Sequence, residues 1–433
     1  MPTRLALRLA VALLATLALS AAAQERTYID VGSPDFQPLP IAVAPFAPEG
    51  DAVAREAWET VRGDLTLSGL FKVLDPKGFL ADPAEGLTAS GIKFPRWIDV
   101  GADGLVKARV GKGDDGQATA EFHLFEVRAG RELASGAASG GARVLGHRIA
   151  DAILKVYTGE PGIFTTRIAA IRKTAEGREL VVFDVDGKRP QVLLAERMLI
   201  LMPAWRPDGR EITVTSYRNG RPELWTYRLA DRSFRKLLSV GALTMGGVYS
   251  PDGKRIAFTA SQSGGTTDVW VADADGGNPR RLTKESSDDL SPTWSPDGKR
   301  IAFVSNRPGS PQLYVMNADG SDPRRLTFQG SYNQTPQWSP RGDLIAFTAR
   351  DERKVFDVFV VSPDSGKIAR VTQNQGATNE EPTWAPNGRL LAFTSDRKGT
   401  PQLVVSSPDG DRQVVVSEGR AALATPAWGP SAD

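Results

Sequence analysis

The sequence of 433 residues contains no cysteine, only two histidines and only five methionines. Without thiols there is no disulfide framework, no thiolate metal site and no cysteine nucleophile. The two histidines, His123 and His147, show no acid or second histidine at the spacing that metal ligands keep, so both read as ordinary positions. No Gly-x-Ser-x-Gly elbow occurs, which removes the usual signature of an α/β-hydrolase nucleophile. After residue 23 no apolar run approaches the roughly 20 residues needed to span a bilayer as a helix.

Residues 1–23 do not read as part of the fold. Arg4 and Arg8 precede the apolar run "LAVALLATLAL", and Ala21-Ala22-Ala23 supplies small residues for cleavage, so a signal peptide is expected at 1–23 and a mature chain from Gln24. Removing Arg4 and Arg8 takes Lys+Arg from 53 to 51 against Asp+Glu 51, which is formally neutral. Nucleic-acid binding needs a clustered basic face. The recurrent pairs Arg280-Arg281 and Arg324-Arg325 read instead as solvated strand edges that discourage edge-to-edge pairing.

Turn-formers are abundant, with Gly 43 and Pro 30, and they recur. Aligned on itself, the chain superposes Trp205, Tyr249, Trp294, Trp338, Trp384 and Trp428, with spacings of 44, 45, 44, 46 and 44. These six are taken as structural blade anchors. A turn follows each of the first five: "RPDG" at 206, "SPDG" at 250 and 295, "SPRG" at 339, "APNG" at 385. Proline fixes φ near −65° and glycine accepts the left-handed conformation that closes a tight connection. β-rich runs come next, such as "IAFTA" at 256 and "DVWVA" at 268, then a short "PRRLT" at 279. Four short strands per period of about 44 residues is a propeller blade. Five repeats run in full, while "RIAAIRK" at 167, "ELVVFDV" at 179 and "QVLLAE" at 191 form three strands without an anchor. "TPAW" at 425–428 is therefore expected to supply the missing inner strand and close a six-bladed ring. The aspartates of the turn, Asp208, Asp252 and Asp297, are replaced by Arg341 and Asn387 in later repeats, so they read as turn residues and no catalytic residue is assigned.

Residues 24–160 lack this period. "IAVAPF" at 41–46 reads as a buried strand, and the stretch from Asp51 as a helix with an acidic N-cap and an apolar face at Val53, Ala57, Val61 and Leu65. Strands are expected from Leu105 to about Ser135 around the hairpin loop "GKGDDGQ". Leu145, Ile149, Ile153 and Val156 mark a second helix ending at Gly159. The fold class is thus an α+β N-terminal domain (24–160) followed by an all-β six-bladed propeller (161–433) with four-stranded blades, closed by the C-terminal strand.

The signal segment, the small α/β domain, the joint "YTGEPGIFTTRIAAI" at 157–171 and the repeats "PTWSPDGxxIAFTS" together closely resemble the TolB family of periplasmic propeller proteins of the Tol-Pal envelope system. The resemblance implies a protein-binding scaffold without enzyme activity, located in the periplasm. It implies binding of the outer-membrane lipoprotein Pal through one propeller mouth and of TolA through a short N-terminal segment. It also implies support of outer-membrane integrity and constriction at division, exploitation by bacteriocins, and no membrane insertion. Topology puts the loops "SVGALTMGG", "KESSDDLS", "FQGSYNQT", "NQGATNEE" and "SEGRAALAT" at one mouth, and irregular loops on a rigid frame are where recognition resides. The Pal-facing site is accordingly expected at Leu243, Met245, Gly246, Asp289, Leu290, Tyr332, Asn333, Asn379, Glu380 and Leu423. The TolA-binding segment is expected at Gln24, Glu25, Arg26, Thr27, Tyr28, Ile29, Asp30 and Val31, a detachable β-rich strand. The pairs Asp288-Asp289 and Glu380-Glu381 bring acids to the mouth, but exposed loop carboxylates are common, so neither metal nor cofactor is assigned. The alternatives are an exported propeller accessory to a peptidase and a glycan- or peptide-binding propeller.

Overall fold

The computed structural model describes residues 36–79, 85–113, 116–262, 265–350, 354–373, 377–417, 419 and 421–431. The expected signal peptide and the TolA-binding segment, Gln24 to Val31, lie outside the described residues. Strand β1 (Leu39–Val43) leads to helix α1 (Ala52–Ser68), where the Asp51 carboxylate caps the first turn by accepting from Ala54 N at 2.9 Å. Strand β2 (Phe71–Val73) and the short helix α2 (Phe94–Asp99) follow, then β3 (Gly104–Lys112), β4 (Ala118–Glu126), β5 (Arg131–Ser139) and helix α3 (Ala142–Thr158). The sheet runs β2-β1-β3-β4-β5, with β1 parallel to β2 and β3 and the others antiparallel. Alternation along β1 splits the core: Ile41 and Val43 pack with Val61 and Leu65 of α1 and Ile149 and Ile153 of α3, whereas Ala42 and Ala44 join Trp97 and Phe125 on the other face. The sequence pattern did not reveal α2 or β2, because six and three residues are too few to establish a period.

Six four-stranded antiparallel sheets make the propeller, each described from its inner strand outwards. Blade 1 is Ile200–Trp205, Glu211–Ser216, Glu223–Arg228 and Phe234–Leu238; blade 2 is Leu243–Tyr249, Arg255–Ser261, Asp268–Asp273 and Arg280–Arg281. Blade 3 is Asp289–Trp294, Arg300–Ser305, Gln312–Asn317 and Arg324–Arg325; blade 4 is Tyr332–Trp338, Ile345–Arg350, Phe356–Val361 and Ile368–Arg370. Blade 5 is Asn379–Trp384, Leu391–Ser395, Gln402–Ser406 and Gln413–Val415. Blade 6 takes its inner strand, Leu423–Ser431, from the late end of the propeller sequence and the others, Thr166–Lys173, Arg178–Asp184 and Gln191–Glu196, from its start. Trp428 pairs with Ile168, as ring closure requires, and its indole Nε1 donates to Thr166 Oγ1 at 2.7 Å. Gly429 lies so close to blade 1 that a Cβ there would stand 2.5 Å from Trp205 Cε2.

The anchors tie blade to blade. Trp205, Trp294 and Trp384 donate their indole N–H to Ala427, Val248 and Gln337 carbonyls of the preceding blade at 3.0, 3.2 and 2.9 Å. In the turns, Asp252 and Asp297 accept from Ser250 and Ser295 hydroxyls at 2.6 Å and from Lys254 and Lys299 amides at 3.1 Å. These bonds, the serine's above all, hold both carboxyls below the usual range. Both bonds of each carboxylate fall on Oδ1 and stay within its own turn, which is a structural use.

The first domain sits against the turns of blades 4, 5 and 6. One apolar cluster runs from Ile149 and Ile153 through Phe164 to Ile168, Phe183, Leu390 and Val405. Around it Glu160 pairs with Arg389 at 2.5 Å and Arg341 at 3.5 Å, Asn387 Nδ2 donates to Pro161 O at 3.3 Å, and Arg412 donates to Thr66 O.

Candidate partner-binding mouth and the domain junction

Each inner strand starts at the mouth away from the first domain and bulges as it nears the axis. At the bulge one residue per blade takes positive φ: Met202 (52°), Gly246 (64°), Ser291 (52°), Thr335 (49°), Glu381 (60°) and Thr425 (47°). Non-glycine residues rarely adopt this conformation. Here it is held by bonds to neighbouring strands: the N–H groups of Gly246, Ser291 and Glu381 donate to Thr215, Thr259 and Thr348 Oγ1 at 3.0, 3.0 and 2.9 Å. Proline follows in five of the six blades, and lacking a donor it suits a bulge where no ladder bond is made. These residues and their neighbours enclose a narrow axial space of about 100 Å³. Glu381 is its one charged lining side chain, and its carboxylate accepts from Thr425 N. Burial raises the Glu381 carboxyl. Burial, then the adjacent charges of Glu381 and Asp396, push Glu380 up to about 7.

The ten residues expected to face Pal are all brought to this end of the ring, but in two roles. Leu243, Met245, Gly246, Leu290 and Glu380 are half-buried along the rim and Tyr332 is exposed. Asp289, Asn333, Asn379 and Leu423 are buried, with their side chains turned into the scaffold. The three polar ones occupy one register position, facing the scaffold. Asp289 accepts from Arg307 at 2.8 Å, Asn333 donates to Gln312, Thr327 and Gln329 at 3.0 Å, and Asn379 donates to Asp357 at 3.0 Å. They clamp the loops from below. Asp288 likewise accepts from Thr267 and Asn306, whereas Asp289 is held through Oδ2 alone, its buried Oδ1 having no hydrogen-bond donor among the described residues. The axial residues Met202, Ser291, Thr335 and Thr425 were missed by sequence reasoning, and Glu381 was noted only as half of an acid pair, although the recurrent x-Pro step before each of these anchors marks all five.

A second polar assembly joins the two domains. His147 Nδ1 lies 2.7 Å from Asp64 Oδ2, and its Nε2 lies 3.6 Å from Asp184 Oδ2 of blade 6. Arg143 donates to Asp184 at 3.2 Å and Asp186 at 2.6 Å, and Arg189 Nε lies 3.2 Å from Asp184. Burial works against the charge on His147, but Asp64 and Asp184 outweigh it and push its pKa up to about 9. Burial raises Asp64 to about 6 against the pull of His147. The donor atoms of His147, Asp184 and Asp186 fall within 4.8 Å of one another, but the Arg143 guanidinium already supplies the cation they face. The absence of acid partners inferred for the histidines is thus corrected. The partners of His147 lie 83 and 37 residues away in sequence. Those of His123, Glu121 at 3.1 Å and Glu132 at 3.2 Å, share its sheet face two residues back and on the next strand.

Comparison with known proteins decides the family. A family model described as the TolB amino-terminal domain matches residues 27–133, and one described as the TolB beta propeller domain matches residues 154–432. The chain belongs to the TolB family. It is 64% identical over 440 residues to the Tol-Pal system protein TolB of Anaeromyxobacter dehalogenans, covering 100% of both chains. It is 47% identical to that of Myxococcus xanthus over 220 residues, 49% of this chain and 50% of the relative. The crystal structure of TolB from Acinetobacter baumannii superposes with a TM-score of 0.81 at 28% identity, covering 91% of this chain and 97% of that one. TolB is a non-enzymatic propeller family, and a scaffold role in the Tol-Pal system follows for this chain.

Proposed function

We propose that this TolB protein works in the periplasm, binding the lipoprotein Pal through the mouth lined by Leu243, Met245, Leu290, Tyr332 and Glu380, and TolA through residues 24–31. In this reading it helps couple the envelope layers and draw the outer membrane inward at division. The observation that supports it most is the run of half-buried apolar side chains Leu243, Met245 and Leu290 on adjacent blades, above buried polar groups bonded to the scaffold. Apolar anchors over a rigid frame suit a folded partner, because little order remains to be imposed on binding. The test is titration of the mature chain with the soluble domain of the Pal protein from the same genome. Saturable binding, weakened at least about tenfold by Leu290→Arg, is the expected result; equal affinity for the variant overturns this placement of the site. Displacement of the N-terminal segment would appear as a change in hydrogen exchange at residues 24–34 on saturation with Pal.

A further inference from the structure

Three departures from the propeller repeat meet at one place on the rim, and a fourth, Phe328, stands on the loop that leads into Tyr332. Phe328 is 71% exposed, where the equivalent positions of blades 2, 4 and 5 carry Lys284, Gln373 and Glu418. Tyr332, 37% exposed, stands where Leu243, Asp288 and Thr378 stand in other blades. Arg350 replaces Ser261, Asn306 and Asp396, and Phe356 replaces Thr267, Pro311 and Pro401. The scaffold requires none of these four, since other blades close without them.

They are organised. Tyr332 meets Phe356 edge-on, with centroids 5.8 Å apart and planes at 72°. Arg350 lies over both rings at 5.9 and 5.8 Å, and Arg325 lies 4.7 Å over Phe328. Beside them opens a cavity of about 820 Å³ whose lining includes Gly330, Phe347, Phe359, Ile368, Arg350 and Arg370. Arg370 is spent on Asp357 and Arg324 faces Asp322, but no carboxylate among the described residues pairs with Arg350 or Arg325. A guanidinium stacked on a ring keeps its edge free for a carboxylate, and the stacking holds it in place beforehand. Aromatic rings with arginine at an exposed, partly walled site have the composition of interface hot spots.

We propose that the Phe328–Tyr332–Arg350–Phe356 ledge is a second docking surface for an acidic segment of a protein partner, which sets a carboxylate on Arg350 and an apolar side chain in the adjoining cavity. The ledge adjoins the mouth and shares Tyr332 with it, but its carboxylate site on Arg350 does not depend on Pal being the partner there.

The probe is a pair of synthetic twelve-residue peptides, one of Asp and Glu interspersed with Leu and Phe, the other with every acid replaced by lysine. The full mature chain should bind the acidic peptide saturably and not the basic one, with affinity falling as salt rises. Arg350→Gln and Phe328→Ala, both at the rim, should each weaken binding by about tenfold while circular dichroism stays unchanged. The Leu290→Arg variant, which tests the Pal site, should bind the peptide normally. Equal binding of both peptides, unchanged affinity in Arg350→Gln and Phe328→Ala, or binding of phosphatidylglycerol vesicles without binding of the acidic peptide would each overturn the proposal.

Discussion

Replacing His147 by glutamine tests the domain junction most directly. His147 and Asp64 are 4% and 1% exposed, and Asp64 Oδ1 is buried without a hydrogen-bond donor, so the imidazolium is the main compensation for that carboxylate. Removing one member of a buried pair costs about 3–5 kcal/mol, and unfolding of the variant at pH 7 should show a loss of that order. The pH dependence has a definite sign. His147 is raised from 6.5 to about 9, so the folded state keeps a proton that the unfolded chain releases. The stabilisation, about 3 kcal/mol, is complete below pH 6.5 and disappears as pH rises through 9. Asp64, raised from 3.8 to about 6, acts in the same direction at lower pH: stability falls as pH rises between these values. The groups facing the pair, Arg143, Asp151, Asp184, Asp186 and Arg189, come from both domains, so the slope reports the junction. Chemical unfolding between pH 6 and 9.5 should lose its alkaline slope in His147→Gln. Because the chain has only two histidines, proton NMR resolves the imidazole. A His147 resonance titrating near 6.5 would refute the buried ion pair.

Glu380, raised from 4.5 to about 7, should reduce stability as pH rises from 4.5 through 7. Glu380→Gln should remove that slope and stabilise the protein at pH 8 by about 1–2 kcal/mol, the full shift being discounted for partial exposure, as read by thermal unfolding. Trp428→Ala deletes a buried indole and its bond to Thr166, and should cost about 3–5 kcal/mol by denaturant titration. Asp252→Ala should cost only about 1 kcal/mol and leave partner binding intact, since its bonds are confined to its own turn. A larger loss of Pal affinity in that variant would show that the turn carries a function beyond the hairpin.

The propeller was legible because its signal is repeated: a tryptophan, a Pro-Asp-Gly turn and two apolar runs recur often enough to reveal even the displaced inner strand. Asn333 and Asn379 show where that reading stops. A loop's sequence establishes that it is irregular, but whether a side chain points to solvent or into the neighbouring blade depends on the bulge at the axis. Periodicity does not encode that direction. His147 was opaque for a different reason. Its partners, Asp64 and Asp184, belong to another helix and another domain, and only packing brings the three together. Tyr332 was visible as a residue all along, but its meaning emerged only when Arg350 and Phe356, distant in sequence, were seen to meet it.

The nine-residue strand Leu423–Ser431 completes the sheet begun at Thr166. While the polypeptide is still being synthesised, that early sheet therefore has an unfilled axial edge and the torus stays open. The ring is therefore sealed by a contact between the two most distant strands of the propeller, and it stays unsealed until the later one docks.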